Sequence, residues 1–151
     1  MGQTFTFGLE RVRELREHTE ARAKEKLAAS LHQRLKGVAM LAAASDALTA
    51  AAEAASPQAG VRQSAGDMLA HKRWVQALRR DHEQAALSVD RLDAEVDARR
   101  AALGDASRER EILERLKERQ AAEHRARLAR REGAELDELA LSMHQRQAGA
   151  R

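Results

Sequence analysis

Cysteine and tyrosine are absent from this chain, proline occurs once, and Phe5, Phe7 and Trp74 are its only aromatic residues. The lack of cysteine excludes a disulfide framework, a thiolate metal site and a thiol nucleophile, and removes any need for an oxidising compartment, so cytoplasmic residence is the default expectation. Sheets are held by β-branched and aromatic cross-strand pairs, and a chain so poor in both excludes an all-β or α/β enzyme. Long hydrophobic runs are missing as well. The longest weakly charged stretch, 38–55, is interrupted by Asp46 and Glu53 and is largely alanine, which falls short of the ~20 strongly apolar residues of a membrane span. The opening residues lack the basic region and apolar core of a secretory signal.

What remains is a chain of 151 residues, 34% charged, dominated by Ala, Glu, Arg, Leu and Gln. These are the strong helix formers, and their dominance is the composition of long helices or coiled coils. The formal net charge of +3 is spread among acids of nearly equal number, which reads as solvated helix faces before it reads as a nucleic-acid footprint.

Apolar or small residues at Leu9, Val12, Leu15, Thr19, Ala23, Leu27, Leu31, Leu35, Val38, Leu41 or Ala42, and Leu48 are largely three or four apart and share one helical stripe. They predict a helix over about 6–55, with Thr6 as N-cap and Ser56-Pro57 as its end, because the residue before proline is pushed out of the helical region. Pro57, Gly60 and Gly66 form the densest cluster of helix breakers and predict a hairpin tip at about 56–66. A second helix over about 67–146 starts from a capping box of Ser64 with Asp67. Within it Met68, Val75, Leu78, Ala85, Val89, Leu92, Val96 and Leu103 form a heptad run, with His71, His82 and Arg99 at or near the seam. Gly104 and Ser107 mark a kink or a turn, and beyond them Leu113, Leu116, Gln120, His124, Leu128, Leu136, Leu139 and Met143 recur nearer every 3.67 residues. A fold about residue 60 places residue 5 beside about residue 115, and Val38 and Leu41 level with Trp74 and Leu78. The expected architecture is all-α: one domain over 1–151, a long antiparallel two-helix coiled-coil hairpin.

No chemistry of a catalytic kind emerges. Gly-Lys-Ser and Gly-Lys-Thr do not occur, no two of the six histidines are four residues apart, and Asp81, His82 and Glu83 point about 100° from one another on a helix. Neither a catalytic residue, a metal ligand nor a cofactor is expected. The arginine run 125–131 has no aromatic within fifty residues to stack on bases, and Glu123, Glu132 and Glu135 flank it at helical spacing. No nucleic-acid partner is expected.

The opening Phe5-Thr6-Phe7-Gly8-Leu9 and the closing blocks Leu113-Glu114-Arg115-Leu116 and Leu136-Asp137-Glu138-Leu139-Ala140 fall in an order that resembles the FliJ family, the coiled-coil protein of the bacterial flagellar type III export apparatus. That resemblance implies a non-enzymatic stalk similar to the central subunit of rotary ATPases. Its partners would be the hexameric export ATPase, the cytoplasmic domain of the export gate and export chaperones. Its place would be cytoplasmic, with peripheral association at the inner membrane through the apparatus. The resemblance assigns Val38, Leu41, Trp74 and Leu78 to the gate, with Leu41 and Ser45 standing where the family often has tyrosine. Leu9, Val12, Leu136, Asp137 and Glu138 are assigned to the ATPase ring. The alternatives are the equivalent stalk of a virulence-type secretion system and a generic coiled-coil scaffold.

Overall fold

The computed structural model describes residues 4–54 and 64–149. They form two helices, α1 over Glu10–Ala54 and α2 over Ala65–Gly149, packed as an antiparallel coiled-coil hairpin without a strand among the described residues. The expected tip lies mostly outside the described residues. The capping box is present: the Ser64 hydroxyl donates to Asp67 Oδ2 at 2.8 Å, and the Asp67 N–H donates to Ser64 Oγ at 3.1 Å.

Helix α1 begins four residues later than the expected start at Thr6. Residues 4–7 run unwound, Phe7 is buried, and the Phe7 carbonyl accepts from the Glu10 N–H at 3.2 Å. Burying the two aromatics by side-chain packing takes precedence over capping by Thr6. Helix α2 passes through Gly104 and Ser107 without interruption, so neither a turn nor a fresh helix start occurs there. A single interior glycine costs a helix only about 1 kcal/mol, less than the packing on both sides of it contributes.

Two compact units partition the chain: Glu20–Asp105, and Met1–Thr19 with Ala106–Arg151. In the first, the shielded positions of α1 are Glu20, Ala23, Leu27, Ser30, Arg34, Gly37, Leu41, Ala44, Leu48 and Ala51, alternately three and four apart. They face His71, Val75, Leu78, His82, Ala85, Val89, Leu92, Val96, Arg99 and Leu103 of α2, the expected heptad run. In the second unit, Glu10, Arg13 and Arg16 of α1 face Ala106, Arg110, Leu113, Lys117, Gln120 and His124.

The α1 seam is thus rotated from the expected stripe. Ala23, Leu27, Leu41 and Leu48 belong to it, while Leu9, Val12, Leu15, Leu31, Leu35 and Val38 are exposed beside it. On α2 the heptad spacing persists to His124, so the looser spacing read from Leu113 onward does not describe the packed face. By length and composition alone α1 does contain a stretch apolar enough to cross a membrane, contrary to expectation, and little of that stretch is buried. Its apolarity is mostly alanine.

Candidate partner-binding surfaces

An interhelical seam sets register through its ion pairs before it offers a surface to anything else. In the Glu20–Asp105 unit Arg34 pairs with Asp93, and Gly37 lies against Leu92 and Val89. A Cβ added at Gly37 would sit 2.6 Å from Leu92 Cδ1, so the absence of a side chain there is what admits Leu92 into the seam. This register moves the hairpin fold toward the C-terminus of the expected one. Val38 and Leu41 lie at the level of α2 residues in the upper 80s, about three to four helical turns from Trp74.

The four residues assigned to the export gate therefore do not form one patch. Leu41 and Leu78 are half-buried in the seam. Trp74 precedes the seam residue Val75, whereas Val38 follows the seam residue Gly37. Reversing the direction of one helix puts the preceding positions of both on one flank and the following positions on the other, so Trp74 and Val38 face opposite sides. Trp74 is 49% exposed, and its indole meets the His71 ring edge-on at 5.7 Å. His71 Nε2 is buried without a hydrogen-bond partner.

The other unit is closed by charge. Arg13 donates to Glu10 Oε1 at 2.6 Å from Nη2 and to Glu114 Oε1 at 2.9 Å from Nη1, Lys117 reaches Glu10 Oε2 at 3.0 Å, and Arg16 pairs with Glu109 at 2.7 Å. The Arg13 guanidinium, followed by the Lys117 ammonium, holds the Glu10 carboxyl below the usual glutamate range. Glu10 and then Glu114 raise Arg13 in turn. Phe5 stacks at a tilt on His124, ring centroids 5.8 Å apart. With charged groups filling much of the seam beside Leu113, several large apolar side chains of this unit lie outside it: Leu9, Val12 and Leu15 each precede a shielded α1 position, and Ile112 precedes Leu113. All four share one flank. Leu15 is 61% exposed and Ile112 65% exposed.

Sequence reasoning assigned Leu9 and Val12 and missed Leu15 and Ile112 as surface residues, because an apolar residue at helical spacing reads as core. Leu136, Asp137 and Glu138 are exposed on turns of α2 beyond Phe5 and His124, where no α1 residue remains to pair with them. The structure brings them near neither Leu9 nor Val12.

A helical pair held by its own seam, with apolar side chains left outside it, defines a class of protein: a coiled-coil hairpin that presents binding faces. A family model described as Flagellar FliJ protein matches residues 6–149, and the chain belongs to the FliJ family. Neither a curated protein nor a solved structure matches it. The family is a non-catalytic structural and escort family of the flagellar export apparatus, a cytoplasmic component with a stalk-type role.

Proposed function

We propose that this chain is the stalk that links the hexameric export ATPase to the cytoplasmic domain of the export gate and to export chaperones. The observation that carries this reading is the family match over residues 6–149. It favours the flagellar branch over a virulence-type stalk or a generic scaffold. The exposed flank of Leu9, Val12, Leu15 and Ile112 supplies the apolar contact for the ATPase ring, since apolar side chains gathered on one flank are what a partner would cover. Leu136, Asp137 and Glu138 extend that contact along α2. Trp74 is the gate anchor, supported from the seam by Leu78, and Val38 with Leu41 contributes from the other flank. Association at the membrane is peripheral, through the gate.

Co-purification of the full chain with the cognate ATPase and gate domain tests the reading. Leu15→Asp with Ile112→Asp is expected to abolish ATPase association and leave gate binding, because neither residue lies in the seam. Trp74→Ala is expected to weaken gate binding by about 2 kcal/mol, as loss of a buried indole anchor does. Retention of both partners by both variants would overturn the assignment.

A further inference from the structure

The last turns of α2 carry charge in two blocks. Arg125, Arg127, Arg130 and Arg131 lie in 124–131 with no acid among them, and Glu132, Glu135, Asp137 and Glu138 lie in 132–138 with no base among them. Upstream, acidic and basic residues pair across the seam and along the helix, as in Arg13 with Glu114 and Arg119 with Glu123. None of the eight residues of the two blocks makes an ion pair or hydrogen bond among the described residues. The same turns expose Leu136, Leu139 and Met143, recurring three and four apart, and Leu128 lies two turns before them. Among the described residues these turns are largely exposed, and their unpaired charges and apolar stripe are what a second helix would satisfy.

The occupant is encoded in the order of the charges. Two parallel copies would set arginine against arginine and carboxylate against carboxylate. Two antiparallel copies with Leu128 of one opposite Leu136 of its partner cross at residue 132, where the two Glu132 side chains meet, and set the arginine block of each alongside Glu135, Asp137 and Glu138 of the other. We infer that a second copy of this chain docks on residues 121–146 of α2 as a two-fold antiparallel pair, held by Arg-to-carboxylate contacts around a Leu128–Leu136 core. A two-fold interface requires a self-complementary surface, and adjoining blocks of opposite sign on one helix are the simplest form of it. The proposal goes beyond the stalk reading. The ATPase contact of Leu136, Asp137 and Glu138 and the self-pair use one surface, so a given copy makes one or the other.

Sedimentation of the full chain alone, with no export partner present, distinguishes this from the stalk assignment. The chain is expected to dimerise reversibly, with Kd rising on the order of tenfold between about 50 mM and about 500 mM salt as screening shortens the reach of the charges. Changing the four acids to Lys, or the four arginines to Glu, is expected to give monomers. An equimolar mixture of the two reversed variants is expected to restore a dimer, which no general loss of folding could mimic. The chain has no cysteine, so an introduced thiol reports alone: a mixture of Leu128→Cys and Leu136→Cys should oxidise to the 128–136 cross-link ahead of either homodisulfide. A chain monomeric at all salt concentrations overturns the inference and leaves the blocks to a different partner. So does a dimer that survives either reversal, or a preference for 128–128 cross-links.

Discussion

The Glu20–Asp105 unit and the unit formed by the two chain ends use the same three-and-four spacing with different side chains. The first closes α1 and α2 mainly on Ala, Leu and Val, with Val96 2% exposed and Gly37 admitting Leu92. The second closes on Glu10, Arg13, Arg16, Glu109, Glu114 and Lys117. Apolar contact stabilises by roughly 25 cal/mol per Å² buried whatever the salt, whereas exposed ion pairs contribute little and are screened. Stability should therefore reside in the apolar unit. Charge in the other fixes which residue meets which, and it frees Leu9, Val12, Leu15 and Ile112 to face outward.

The largest effect expected from this contrast follows from placing one carboxylate in each seam. Val96→Asp buries a carboxylate where the neighbouring cations Arg99 and Arg100 are already paired with Glu95 and Asp97, and should cost about 3 kcal/mol or more. Leu113→Asp enters a seam that already holds Arg13 and Lys117, and its loss should be less than half as large. Urea unfolding followed by circular dichroism measures both, and equal losses would erase the distinction.

A second measurement sharpens it. Gly37→Leu overpacks the position where Leu92 enters, and should cost about 2 kcal/mol. Adding Leu92→Ala exchanges knob and hole, so the double variant should be more stable than the sum of the two single losses. Strict additivity would mean that the close approach at Gly37 does not define the seam.

These two substitutions also mark where the sequence is readable. On α2 the seam from Val75 to Leu103 was legible, because large apolar residues occupy the heptad positions themselves. On α1 the same logic selected Leu9, Val12, Leu15, Leu31, Leu35 and Val38, which lie on the flanks. Hydropathy alone could not find a seam made of Glu10, Arg13, Ser30, Arg34 and Gly37. Those residues become interior only through what α2 sets opposite them, namely Glu114, Lys117, Asp93 and Leu92. The register error has the same origin. A fold about residue 60 put residue 5 beside residue 115, and Phe5 meets His124, because breakers locate a turn only within several residues while interhelical pairs fix it. Of the assigned surface, Trp74 was recognisable as a lone aromatic, but that it and Val38 face opposite flanks depended on that register.

The smallest effect is a titration within the charged unit. Glu10 accepts from Arg13 and Lys117, and its carboxyl is held below the usual glutamate range, with Arg13 the larger cause. A carboxyl lowered in the folded chain contributes stability that is fully present above its unfolded value, about 4.3. That contribution is lost as pH falls through the lowered folded value, when protonation removes the acceptor both cations share. Acidification should thus loosen the ends of the helical pair before the Val96 region. Nuclear magnetic resonance titration of the Glu10 side chain should show a midpoint below that of an ordinary glutamate. Arg13→Ala should return the midpoint most of the way, and Lys117→Ala by a smaller step. If Lys117→Ala moves it further than Arg13→Ala, the Arg13–Glu10 pair is not the organising contact. If neither moves it, the seam between the chain ends is held by Leu113 and the buried Phe7, and the contrast between the two units is one of composition without consequence for stability.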